Sequence, residues 1–137
     1  MVRFPAVASL SRSLLALSTG LVLALLVVPY PDLQLIRATL PWVGSASGWL
    51  DRLVPGLDMQ HLVAFALLGV LARFAQRRPR FGVAALWLGL FGLATELAQV
   101  WIPTRSARLD DLALNVAGAV TGYAVGAAVI WLGPRRE

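Results

Sequence analysis

Cysteine is absent, which excludes disulfides, thiolate metal sites and cysteine nucleophiles. Lysine is absent too, so all twelve basic residues are arginines. Histidine occurs once, at His61, and a metal site here would have to lean on scattered carboxylates such as Glu96 and Asp111. One histidine with carboxylates is a weak metal signal, so no metal is expected. No Ser-His-Asp nucleophile motif, P-loop or cofactor fingerprint appears, so no catalytic motif and no cofactor are expected, and a non-catalytic role is favoured. Charge is scarce as well. Only 14% of the 137 residues are Asp, Glu, Lys or Arg, against about a quarter in soluble domains.

What the chain does have is apolar bulk: 58% of its residues are hydrophobic and its mean hydropathy is +0.74. Such a composition argues against a water-soluble globule or a disordered tail. A helix needs roughly 20 apolar residues to cross a hydrocarbon layer of about 30 Å, so this length holds about four spans in a single domain covering residues 1–137. Four apolar segments emerge, at about 13–28, 57–73, 81–102 and 112–132, closed by Pro29-Tyr30-Pro31, Arg73, Pro103 and Gly133-Pro134 in turn. Each is too long for a strand and lacks alternation, which predicts an all-α bundle of four transmembrane helices. The first could serve as a signal peptide, but no small-residue cleavage site follows directly, so it is read as a retained helix.

The arginines set an orientation. Arg3, Arg12, Arg73, Arg77, Arg78, Arg80, Arg135 and Arg136, with Glu137, place +7 on one side, and the remaining charges place −2 on the other. With so little aqueous surface, the excess reads as a topology signal, and no nucleic acid is expected as a partner. The positive-inside rule then predicts cytoplasmic termini and outward-facing loops at 29–56 and 103–110. The 29–56 loop, with Trp42 and Trp49, has amphipathic character suited to the interface.

Polar residues inside such helices are expensive, so their positions are informative. Asp58, His61, Phe65, Leu68 and Ala72 share one stripe. Gly82, Ala85, Gly89, Gly92, Glu96 and Gln99 share another, and Asp111, Asn115, Gly118, Gly122 and Gly126 a third. Gly89, Gly92, Gly118, Gly122 and Gly126 read as helix-packing positions, because small residues let backbones approach where lipid offers no hydrophobic drive. In the predicted orientation Asp58, His61, Glu96, Gln99, Arg105, Asp111 and Asn115 fall at one outer level and can line a single polar pocket.

Each of these residues admits two readings. Glu96 and Gln99 are either a lock, with the carboxylate on Arg105 and the amide tying helices together, or pocket lining. His61 is either oriented by Asp58 and bonded to Gln99, or a general base or ligand. Arg105 either pairs with Asp111 or anchors an external phosphate. Asn115 reads first as interhelical glue.

Taken together, Asp58-x-x-His61-x-x-x-Phe65, Glu96-x-x-Gln99, Pro103-x-Arg105 and Asp111-x-x-x-Asn115-x-x-Gly118 resemble the signature of the VanZ-like membrane proteins, over roughly 57–122. That family takes its name from a glycopeptide (teicoplanin) resistance protein of Gram-positive bacteria. Many members carry Gly between the proline and arginine and an acidic residue near position 108, where this chain has Thr104 and Arg108. The resemblance implies a multi-pass protein of the bacterial cytoplasmic (inner) membrane, associated with the cell envelope and antibiotic tolerance. Three functions stay open: recognition of a lipid-linked anionic head group, acid/base chemistry on such a group by His61 and Glu96, or an architectural part in an oligomer or larger membrane complex.

Overall fold

A computed structural model of the chain describes residues 5–76 and 78–133. Among the described residues there are six helices and no strands: α1 (Pro5–Val27), α2 (Tyr30–Thr39), α3 (Pro41–Leu53), α4 (Met59–Ala75), α5 (Phe81–Gln99) and α6 (Leu109–Leu132). The all-helical class follows from the apolar segments, but the division into elements differs from expectation. Segment 29–56 is two short helices where a loop is predicted. Both begin with proline in the first turn, whose fixed φ suits a helix start and whose missing N–H costs nothing there. Asp32 in the first turn and Arg37 in the last complement the dipole of α2.

The boundaries shift for local reasons. α1 starts well before residue 13 and carries Arg12 inside it, and the Arg12 Nε donates to the Ala75 carbonyl at the C-terminus of α4. α5 ends at Gln99, because residues 100–102 tighten into i→i−3 bonds ahead of Pro103. α6 starts at Leu109, three residues early, with the Leu112 N–H on the Arg108 carbonyl.

Ser9–Val27 within α1, Phe81–Gln99 and Leu109–Leu132 are long and apolar enough to cross a membrane. α4 has 17 residues, about 26 Å at 1.5 Å per residue, and falls short of that measure. It is the inner element of the bundle, with Phe65 and Leu68 fully buried and Ala72 and Ala75 nearly so. Of the charges behind the predicted orientation, Arg3, Arg77, Arg135, Arg136 and Glu137 lie outside the described residues.

Glycine makes the central contact. A Cβ on Gly118 or Gly122 of α6 would overlap the Leu62 or Ala66 carbonyl of α4, and one on Gly69 of α4 would overlap the Ala119 carbonyl. The two backbones therefore touch with no side chain between them, the arrangement small residues permit in a membrane. Gly126 sits more loosely, its Cβ position 3.2 Å from the Val70 carbonyl and 3.1 Å from Arg73 Cβ. Gly92 backs onto Asn115 and Phe65.

Gly89 and Gly82 do not share in this packing, since nothing lies within 4 Å of where their Cβ would stand. The inward face of α5 is Ala84, Leu88, Gly92, Thr95, Glu96 and Gln99. The two candidate stripes share Gly92, Glu96 and Gln99 and diverge below them, where Leu88 fills the core and the glycines face outward.

At the end of the bundle opposite His61, Tyr123 donates to Gln76 Oε1 at 2.7 Å and accepts the Arg80 N–H at 3.1 Å, which fixes the α4–α5 turn. Beside it lies a cavity of about 450 Å³ lined by Arg12, Ala75, Gln76, Arg78 and Arg80.

Candidate functional site

The N-terminus of α4, the C-terminal half of α5 and the N-terminus of α6 meet at one end of the bundle, and each contributes polar side chains there. Asp58 caps α4, its Oδ1 accepting the Gln60 N–H at 3.1 Å. Its other oxygen lies 3.8 Å from His61 Nε2. One turn of helix brings His61 inward, where it is 3% exposed. Its Nδ1 is 3.0 Å from Asn115 Oδ1 and 3.7 Å from Glu96 Oε1. Asn115, fully buried, stands one turn inside Asp111 on α6.

Glu96 and Asp111 are nearly as deeply buried, at 4% and 5% exposure. Glu96 Oε2 accepts the backbone N–H of Arg108 at 3.1 Å, while Glu96 Oε1, Asp111 Oδ1 and Asn115 Nδ2 meet no hydrogen-bond partner. One ligating atom each from His61, Glu96 and Asp111 lie within 4.8 Å of one another, so these three are the residues that could hold a metal ion. The floor beneath them is Phe65, tilted against Phe91 with centroids 5.7 Å apart, and Gly92, whose missing side chain gives Asn115 its room.

Two residues assigned to this cluster from the sequence go elsewhere. Arg105 pairs with neither Glu96 nor Asp111. Its Nε donates to the Val28 carbonyl at 3.0 Å and its Nη2 to the Leu25 carbonyl at 3.2 Å. Gln99 reaches neither His61 nor α6, and donates instead to the Leu26 carbonyl at 3.0 Å.

The cause lies in α1. Its last carbonyls need donors from four residues on, but Pro29 and Pro31 have no N–H and the Tyr30 N–H goes to Thr104 Oγ1 at 3.0 Å. Arg105, Gln99 and Thr104 thus strap the C-terminus of α1 to the α5–α6 turn, and the arginine charge suits the negative end of that helix dipole. Burial lowers the Arg105 guanidinium from its ordinary pKa, with the charge of Asp58 opposing.

Arg108 is likewise committed, to the Gly56 carbonyl and Asp110 Oδ2, both at 3.2 Å. Among the described residues no guanidinium lies within 4.0 Å of Glu96 or Asp111. Among the described residues the one basic side chain within 4.0 Å of either carboxylate is His61, 3.7 Å from Glu96 Oε1.

A crevice of about 160 Å³ lies between α5 and α6. It is lined by Leu93, Leu97, Ala107, Leu109 and Leu112, together with buried Glu96 and exposed Arg108. Sequence reasoning missed this feature and two participants: Thr95, fully buried with its hydroxyl on the Gly92 carbonyl at 2.7 Å, and the Arg108 backbone N–H. Thr95 stands beside Glu96 on the stripe that Leu88 shares, so the alternative α5 face would have found it. A backbone donor leaves no mark in composition.

The VanZ/LLP1 family profile matches residues 4–131, nearly the whole chain. No curated protein and no solved structure matches the chain. The chain belongs to the VanZ/LLP1 family, and with its three long apolar helices it is a membrane protein of that type.

Proposed function

We propose that this member of the VanZ/LLP1 family is a multi-pass protein of the bacterial inner membrane that recognises the polar head group of a lipid-linked envelope intermediate, the role through which it would contribute to glycopeptide (teicoplanin) tolerance. The observation that carries the reading is the crevice between α5 and α6, lined by four leucines and by buried Glu96. An apolar crevice with a carboxylate in its lining suits an amphiphile: its chain lies along the leucines and its head is taken by Glu96 and the His61, Asp111 and Asn115 side chains clustered with it. Ionisable groups inside a membrane bundle are functional candidates by default. In the orientation favoured by the positive-inside rule, α4 completes a fourth span, both termini are cytoplasmic and the cluster opens to the outer leaflet. Arg105 then acts as a strap on α1 and leaves head-group recognition to the cluster.

An enzymatic variant uses the same residues. His61 Nδ1 and Glu96 Oε1, 3.7 Å apart, are near enough to act as an acid/base pair on the bound head group. The two are separated by exposing purified protein to labelled undecaprenyl-linked precursor: retention without turnover supports recognition, and turnover supports catalysis. In cells, His61→Ala and Glu96→Gln should each abolish the response to glycopeptide or envelope stress. Full activity with both changes leaves only an architectural role in a larger complex.

A further inference from the structure

Recognition of an anionic head group meets an obstacle in the charges of the site. Glu96 and Asp111 are buried, Asp58 stands at the rim, and the arginines nearest in sequence, Arg105 and Arg108, are spent on backbone carbonyls and on Asp110. With these carboxylates ionised, a phosphate approaching the cluster would be repelled. The same atoms suit a cation. Glu96 Oε1 and Asp111 Oδ1 are buried lone pairs that meet no donor, and each belongs to a side chain more than nine-tenths buried.

We infer that His61, Glu96 and Asp111 hold a divalent transition cation, zinc or manganese, and that the cation is the group on which an anionic head lands. The three ligating atoms lie within 4.8 Å of one another. Bonds of about 2.0–2.2 Å at tetrahedral angles put ligand atoms about 3.3–3.6 Å apart, so the side chains close the site by drawing together by up to about 1 Å. One imidazole and two carboxylates are a borderline donor set, which favours zinc or manganese over calcium, with its all-oxygen preference, and over copper. His61 Nδ1 is the nitrogen that faces Glu96 Oε1, at 3.7 Å, and so the one that would ligate once the Asn115 amide gives way. In the tautomer protonated at Nε2 the ring N–H points at Asp58 Oδ2, 3.8 Å away, the usual way an outer carboxylate orients a ligating imidazole. The Arg108 N–H on Glu96 Oε2 likewise orients that carboxylate while Oε1 remains free to ligate. Three protein ligands leave a coordination position open, and Glu96 also lines the leucine-walled crevice.

The inference rests on the head-group reading above, and one experiment separates the two. Protein in lipid nanodiscs is stripped with chelator, titrated with Zn²⁺ or Mn²⁺, and its metal content read after desalting. About one ion per chain is expected, falling at least tenfold in Glu96→Gln and Asp111→Asn, whose shapes are conserved, and staying unchanged in Asp51→Asn outside the cluster. Circular dichroism checks the fold of each variant, and Co²⁺ loading gives an absorption band that shifts in His61→Gln. Each preparation is then exposed to vesicles containing a phosphorylated polyprenyl lipid and to inorganic phosphate. Lipid retained only when metal is present supports the inference, and lipid retained equally after chelation overturns it while leaving the head-group reading intact. Metal bound at the cluster with neither lipid nor phosphate retained keeps the cation and sinks the head-group reading. Phosphate retained without lipid preference keeps the cation and removes the lipid. Metal content equal in wild type and Glu96→Gln, or below 0.1 per chain throughout, overturns the site.

Discussion

Replacing Gly122 with alanine tests the helix contact on which the site is built. The added carbon would overlap the Ala66 carbonyl oxygen and stand 2.6 Å from its carbon and 2.8 Å from Ala66 Cα. These are backbone atoms in mid-helix and cannot rotate aside, so α4 and α6 must separate by about 1–1.5 Å to reach ordinary contact near 3.5 Å. A gap of that size forfeits up to half of each facing atom pair's attraction, about 0.1 kcal/mol per pair, over ten to twenty pairs. With the cost of overpacking added, the expected loss is about 2–3 kcal/mol. Gly118→Ala should cost a similar amount and also stretch the His61–Asn115 contact, because Gly118 seats on the Leu62 carbonyl beside His61. Gly126→Ala should cost less, since its neighbours, Arg73 Cβ at 3.1 Å and the Val70 carbonyl at 3.2 Å, need give only a few tenths of an ångström. Gly89→Ala has open space and should be neutral or stabilise by up to about 1 kcal/mol through helix propensity. Equilibrium unfolding by sodium dodecyl sulfate in mixed micelles reads all four. A Gly122→Ala loss under about 0.5 kcal/mol, or a Gly89→Ala loss equal to it, would refute the packing argument.

Arg105→Lys keeps the charge but cannot span the Leu25 and Val28 carbonyls, so the α1 strap should weaken by about 1–3 kcal/mol in the same titration; unchanged stability with lost head-group binding would make Arg105 an anion anchor after all. Tyr123→Phe should cost about 0.5–1.5 kcal/mol by removing the hydroxyl's bond to Gln76 Oε1, with the Arg80 N–H kept on that same oxygen at 2.8 Å, and a neutral result would remove Tyr123 from the account of the α4–α5 turn. Reporters fused after Gly56 and after Arg80 flank α4: the first should be active only outside the cytoplasm and the second only inside it. The reverse pattern overturns the orientation, and activity on one side for both means that α4 does not span.

The helices were legible where apolar residues run for four or more turns, because hydrocarbon and core both demand them. The same fact blurred the rest. On α5, Gly89 and Leu88 are both acceptable to lipid and to a packed interior, so hydropathy could not choose the inward face below Gly92, and only the Phe65 and Leu88 contacts with the core decide it. On α6 the glycines at 118, 122 and 126 repeat at one helical step with no competing stripe, which made that face readable. Gly69 stood alone in α4, among residues as apolar as itself, and was missed. Segment 29–56 looked like loop because its helices are short and hold too few apolar residues to register as spans, although Pro31 and Pro41 mark their first turns.

The site shows a further limit. Asp58, His61, Glu96, Asp111 and Asn115 converge because helical spacing and antiparallel order carry each to the same end, and both can be counted along the chain. The partner of Arg105 cannot be found that way. A carboxylate nine residues back and another six ahead look like its natural counterions, yet the competition is settled by acceptors 77 and 80 residues away, beside the donor-less Pro29 and Pro31. An unserved carbonyl at a membrane helix end has no water to turn to and takes the nearest strong donor. Glu96 already has the Arg108 N–H on one oxygen, so it competes for Arg105 less strongly than those carbonyls do. The proline pair that follows α1 thereby draws Arg105 away from the cluster, and His61 is left as the basic side chain beside Glu96.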